Sequence, residues 1–240
     1  DAEVSRIYNL EHEPLLSQGE VIGVVNTLSK PHDVVVNAAG SMPGDLHKLW
    51  RTRDPKGYHM EYGFSTMGYE IAGGLGVKMA APEREVYVMV GDASYLLLNY
   101  EIPTTVQEGV KIIIVLVDNH GYASIGGLSK SVGSDGFGTK YRYRTGSGQL
   151  DGNVLPIDYA ANAASLGAMV FRAANRDELA NALLQAQALE QTACIVVETD
   201  RSQRVGGYES WWDVAVAEVS ENPAVQSARA NYEEAKEKQR

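Results

Sequence analysis

The stretch KIIIVLV, Lys111 to Val117, is apolar at every position after the lysine. A strand with one wet face alternates apolar and polar residues; this one does not alternate and must be covered on both faces. It therefore belongs in the middle of a parallel sheet, with helices packed above and below. The neighbouring segments fit that demand. DVVVNA (Asp33–Ala38), EVYVMV (Glu85–Val90), MVFR (Met169–Arg172) and ACIVVE (Ala193–Glu198) read as further strands. Helical stretches alternate with them: 21–28, 66–81 ended by Pro82, 94–108 ended by Gly109, 158–166 stopped by Gly167, and 176–190 with an Asn175 cap and Glu178 three residues on. A last helix runs from Pro223 toward Arg240. The pattern predicts an α/β fold: a doubly wound, mostly parallel sheet with helices on both faces.

With 240 residues the chain can bury one sizeable core. The expected organisation is a lead-in linker and helix over 1–32, the main domain over 33–200, and an extension with a terminal helix over 201–240. GSMPGD (Gly40–Asp45) reads as a turn-rich loop. A second, long loop is expected from Asn119 to about Pro156, and loops of that length in a folded domain usually carry function. The net charge of −10 argues against non-specific nucleic-acid binding. It also means that an anionic ligand needs a metal ion or helix N-termini beside it. No apolar run is long enough to suggest a membrane span, and no signal-peptide pattern opens the chain. Cys194 is the only cysteine, which fits a reducing cytoplasm.

Two short pieces carry the chemistry. GDASYLLLN (Gly91–Asn99) and VDNHGY (Val117–Tyr122) each follow a buried strand, and each sets an oxygen-bearing side chain, Asp92 or Asn119, at the strand's end. Ligands of doubly wound sheets bind at those ends. Taken singly, Asp92 is most simply a helix cap and Asn119 a turn residue. Taken together, a carboxylate and an amide oxygen suit Mg2+, which takes one or two protein oxygens and fills its octahedron with phosphate and water. The carbonyl of Gly121 is a third candidate ligand, and Ser94, opening the next helix, is expected to aim its N–H and hydroxyl at the same anion.

Gly-Asp-Ala-Ser followed by Asp-Asn-His-Gly resembles the signature of thiamine-diphosphate enzymes, which runs Gly-Asp-Gly and ends in Asn-Asn. Ala93 replaces the usual glycine and Asp118 the first asparagine. The resemblance implies that Asp92, Asn119 and the Gly121 carbonyl hold Mg2+. It also places thiamine diphosphate against Gly40, Ser41, Ser65, Met67, Gly91, Ala93, Ser94, Asn119, Gly121, Tyr122 and Ala123, with Met67 as the apolar wedge beneath the cofactor. AAGSMPGDLHKLW (Ala38–Trp50), EYGFSTMGYEIAGGLGVKMA (Glu61–Ala80) and GYESWWDVAVAEVSE (Gly207–Glu221) are similar to the trihydroxycyclohexane-1,2-dione hydrolase family of myo-inositol catabolism. That family opens a cyclic 1,2-diketone by C–C cleavage with addition of water, giving 5-deoxyglucuronate.

The same resemblance implies that the glutamate activating the cofactor lies on a separate pyrimidine-binding domain. Glu61, Glu70 and Glu101 do not fit that role; Glu70, one turn past Met67, stands behind the cofactor contacts at most. No catalytic residue is therefore expected on this chain. It is expected to be the C-terminal part of a longer enzyme or one subunit of a split one, completed by a domain of the same or a neighbouring protomer in a homo-oligomer. His47, Trp50, His59, His120 and the loop over 126–138 are candidates to face the substrate, and Trp211 and Trp212 to form a lid, though ordinary packing explains each as well. Two alternatives stay open: a 2-keto acid decarboxylase or carboligase on the same cofactor residues, and a non-catalytic cofactor-binding subunit. An ordinary nucleotide-binding domain is disfavoured, because neither a G-x-G-x-x-G turn nor a Walker A lysine is present.

Overall fold

The computed structural model describes residues 1–61, 63–208 and 211–239. The chain divides into two units, 1–119 with 156–205, and 120–155 with 206–240.

The first unit is built on six parallel strands: β1 (Val34–Asn37), β2 (Tyr58–Met60), β3 (Val86–Gly91), β4 (Ile113–Asp118), β5 (Met169–Ala173) and β6 (Ala193–Glu198), in the order β2-β1-β3-β4-β6-β5. β4 lies inside the sheet, paired with β3 and β6, and all six of its residues are buried. Successive residues feed two different cores, as a period of two requires. Tyr87, Met89, Ile113, Val115 and Val117 join residues of α1 (Ala2–Tyr8), α2 (Gln18–Leu28), α3 (Ser41–Leu49) and α9 (Arg176–Ala188). Val86, Val88, Val90, Ile114 and Leu116 join residues of α4 (Tyr69–Ala80), α5 (Asp92–Leu97), α6 (Glu101–Gln107) and α8 (Tyr159–Ser165). The doubly wound architecture is the one the apolar central strand demanded.

Several local expectations need correction. GSMPGD is not a loop; it opens α3. Pro43 sits in the first turn, where its missing N–H is no loss. The stretch 94–108 is two helices rather than one, with the break at 98–100. Pro103 explains the break, because inside one continuous helix its ring would clash with the carbonyl four residues back; in α6 it falls in the first turn. The glycine-rich helix starts at Tyr69 rather than Thr66. The polar N-terminal stretch forms α1, and Ser17 and Glu20 cap α2 reciprocally. The short edge strand β2 has no counterpart among the expected elements.

In the second unit the expected long loop contains α7 (Ala123–Ser131), followed by bridges pairing Gly121 with Lys140 and Arg142 with Val154. α10 (Pro223–Glu237) starts at its proline, capped by Asn222 on the Ala224 N–H at 2.9 Å. Among the described residues, no helix is long and apolar enough to cross a membrane.

Candidate cofactor and metal site

β1 leads outward to β2, whereas β3 leads the other way to β4. The strand order therefore reverses between β1 and β3, and the crevice at their carboxyl ends is where such sheets take ligands. Gly40 and Ser41 follow β1 there. Gly40 has φ +123°, a backbone that L side chains rarely adopt, and it caps the nine-residue α3 without a side-chain bond. The N–H groups at the start of α3 thus keep their capacity for an anion. Gly91 ends β3, and a Cβ added to it would meet open space. Asp92, Ala93 and Ser94 form the first turn of α5 and are all buried. Ala93 takes helical backbone, so a Cβ in place of the usual glycine costs nothing in conformation.

β3 and β4 are hydrogen-bonded neighbours whose last paired rung is Gly91 with Val117. Asp92 lies one residue past that rung and Asn119 two. Asp92 is fully buried and Asn119 is 4% exposed. Asn119 Oδ1 is buried without a hydrogen-bond partner. A buried amide oxygen left so costs about 1–3 kcal/mol, a cost that coordination to a cation removes. The donor set, one carboxylate and one amide oxygen on adjacent strand tips, matches what Mg2+ takes from protein when phosphate supplies further ligands. The residues present fit a Mg2+–diphosphate group. The Asn119 main-chain carbonyl also accepts from Arg201 Nη1 at 3.5 Å.

The Met67 segment is ordered from below. Glu61 accepts from the Phe64 N–H at 3.0 Å and from the Thr66 N–H at 2.6 Å, and these bonds hold its carboxyl below the usual glutamate range. Ser65 is exposed with φ +52°, and Met67 is half-buried.

The Ser94 hydroxyl overturns one expectation. It is turned toward Glu70, donating at 2.7 Å to Oε1 and 2.8 Å to Oε2, and not toward an anion. The Gly68 N–H donates to the same pair, 2.9 Å to Glu70 Oε2 and 2.7 Å to Ser94 Oγ. Glu70 is 1% exposed, and burial pushes its carboxyl above the ordinary glutamate range although these bonds act the other way. Sequence reasoning set Glu70 behind the cofactor contacts and missed its burial. The available signal was a carboxylate in the first turn of a helix otherwise made of small and apolar residues.

Of the candidate substrate residues in this unit, His47 is exposed on α3 and packs edge-on against Tyr58 at 6.1 Å. Trp50 packs against the core, and His59 Nε2 bonds the Tyr69 hydroxyl at 2.7 Å. In the second unit, Gly121 has φ +132°, and its added Cβ would lie 2.6 Å from the Thr139 carbonyl oxygen. The Tyr122 N–H donates to that carbonyl at 3.0 Å, and Ala123 is the first residue of α7. His120 takes φ +57°. Trp211 packs against Tyr232 at 6.2 Å, while Trp212 is 70% exposed. Within these contacts neither tryptophan is core packing.

Comparison with known proteins follows the same residues. The family model described as "Thiamine pyrophosphate enzyme, C-terminal TPP binding domain" matches residues 38–198. The chain is 46% identical over 214 residues to a 3D-(3,5/4)-trihydroxycyclohexane-1,2-dione hydrolase of Bacillus cereus (strain AH820), covering 89% of this chain and 33% of that protein. A relative of the same name from Bacillus thuringiensis (strain Al Hakam) is 45% identical with the same coverage. The chain thus spans about a third of the length of these curated relatives. Among solved structures, a thiamine diphosphate-dependent 4-hydroxybenzoylformate decarboxylase of Rhodococcus jostii RHA1 superposes with a TM-score of 0.67. At 19% identity, over 79% of this chain and 34% of the other, that likeness concerns the fold. With the match running from the end of β1 to the end of β6, the chain belongs to the thiamine pyrophosphate enzymes, as their C-terminal TPP-binding domain.

Proposed function

We propose that this chain is the cofactor-binding part of a thiamine-diphosphate-dependent hydrolase that opens the ring of trihydroxycyclohexane-1,2-dione by C–C cleavage. The observation that carries the site is the rung Gly91–Val117, which puts Asp92 and Asn119 on adjacent strand tips. The substrate class comes from the name shared by relatives 46% and 45% identical. Asp92 and Asn119 hold Mg2+ with the Gly121 carbonyl. Gly40, Ser41, Gly91, Ala93 and the main chain of Ser94 receive the diphosphate, with Tyr122 and Ala123 alongside. Ser65 and Met67 meet the aminopyrimidine. When bound, thiamine diphosphate supplies a nucleophilic carbanion that no side chain here provides. The chain's own residues bind, orient and exclude water. The activating glutamate comes from a pyrimidine-binding domain of the same or a neighbouring protomer, in a homo-oligomer of the cytoplasm.

The test is turnover with Mg2+ and thiamine diphosphate, with and without the pyrimidine-binding domain. Ring opening of the cyclic dione, without CO2 and only in the completed assembly, is the expected result. Pyruvate consumption with CO2 release would instead identify a 2-keto acid decarboxylase, and turnover by this chain alone would refute the division of labour.

A further inference from the structure

Glu70 is a buried carboxyl of the first unit that bonds residues of the candidate site from behind. A carboxyl out of water is costly unless its oxygens are well paired. An apolar residue would fill the start of α4 at less cost, as Ile71 and Leu75 do further along. What Glu70 gains is a tie between two turns. Ser94 lies two residues after Asp92 on the same helical turn. Gly68 follows Met67 directly. One side chain thus meets two of the segments that the proposed site draws from the first unit: the Met67 turn and the metal-bearing turn after β3.

We propose that Glu70, acting through the Ser94 hydroxyl and the Gly68 amide, is a positioning residue that sets the metal-bearing turn against the Met67 turn. The proposal rests on the functional reading above and deepens it. Glu70 touches neither metal nor cofactor; it fixes the backbone that presents Asp92 and Met67. Sites of this kind lose affinity when the supporting groups loosen, even with every direct ligand in place. Ser94 Oγ accepts from the Gly68 amide and donates to the carboxyl, so Ser94→Ala removes the direct bond between the two turns, and Glu70→Ala leaves that one bond without the carboxyl that orients both of its partners.

The experiment is calorimetric titration of the completed assembly with thiamine diphosphate at fixed Mg2+, for wild type, Ser94→Ala, Glu70→Ala, Glu70→Gln and the Ser94→Ala/Glu70→Ala double variant. Thermal unfolding of each cofactor-free protein accompanies it. The expected result is a loss of tenfold or more in affinity for Ser94→Ala and for Glu70→Ala, a smaller loss for Glu70→Gln, and a double variant no weaker than the weaker single. Hydrogen exchange at the Gly68 amide should quicken in both single variants. Folded single variants that bind within twofold of wild type, or losses that multiply in the double variant, overturn the inference. Should Glu70→Ala not fold, Ser94→Ala, which deletes one oxygen, decides alone. A wild-type assembly that binds no thiamine diphosphate defeats the functional reading itself and takes this inference with it; normal wild-type binding with unaffected variants defeats the inference only.

Discussion

Gly74 lies flat against Val88: a Cβ built on the glycine would stand 2.2 Å from Val88 Cγ2, on a core strand with no room to retreat. Two residues along α4, Gly76 has nothing within 4 Å of the same added atom. The two glycines therefore predict opposite outcomes. Gly74→Ala overpacks the helix–sheet contact and should cost about 1–3 kcal/mol. Gly76→Ala should stabilise by about 0.5–1 kcal/mol, because alanine loses less backbone entropy in a helix. Chemical denaturation of both variants checks the pair, and equal signs would contradict the packing described.

Asn119 predicts a separation of stability from binding. Its amide oxygen is buried and unsatisfied, so the metal-free fold gains little from it. Asn119→Ala should leave metal-free stability within about 1 kcal/mol of wild type, because the cavity it opens offsets the relieved oxygen. The same variant should weaken Mg2+-dependent thiamine diphosphate binding tenfold or more. Thermal unfolding without metal, set beside Mg2+ titration, measures both. An unchanged titration would remove Asn119 from the metal shell.

How much of this was legible beforehand follows from what each residue competes with. Ile112 to Val117 admit one environment only, so the central strand and the layered fold were readable from a few residues. The Asp92–Asn119 pair was readable for the same reason, since both sit where unambiguous strands stop. Pro43, in a stretch read as a loop, sits in a helix's first turn, and Pro103, in a stretch read as one helix, marks the start of a second. Each is a helix breaker in mid-helix and harmless in a first turn, and which applies depends on where the helix starts. Tyr58–Met60 is three half-buried residues whose strand character comes from pairing with β1, a contact outside any local window. The Ser94 hydroxyl was misassigned because its partner, Glu70, is 24 residues away. Sequence spacing assigns a hydroxyl to its nearest visible task; packing decided otherwise.

Cys194 predicts a silent thiol. It sits in β6 between Ile114 of β4 and Val170 of β5, with no exposed surface, and burial pushes the thiol up to about 12. The thiolate is the reactive form, so the native protein should resist a disulfide-exchange reagent at pH 8. One thiol should react in denaturant, as the sequence holds a single cysteine. Prompt labelling of the native protein would mean that β6 opens far more readily than a core strand should.

Asp200 predicts a defined contribution to acid stability. It follows β6 and ties the chain back to the N-terminal segment: its N–H donates to the Leu16 carbonyl at 3.0 Å, and Oδ2 meets His12 Nε2 at 2.9 Å. The Ser202 hydroxyl bonds Oδ1, and the Ser202 N–H does so at 2.8 Å. Led by the Ser202 hydroxyl and then by His12, these contacts lower the carboxyl to about 2. A carboxylate depressed in the folded state stabilises the fold at any pH above its unfolded value, about 4. Below that the unfolded chain takes up the proton first, and the contribution disappears as pH falls through about 2. Asp200→Asn should therefore be less stable than wild type at pH 7, by a modest amount because the site is partly exposed. Urea midpoints should converge as the pH drops from 4 toward 2. A gap that holds constant over that range would show that Asp200 acts through its shape and neutral hydrogen bonds, and not through its charge.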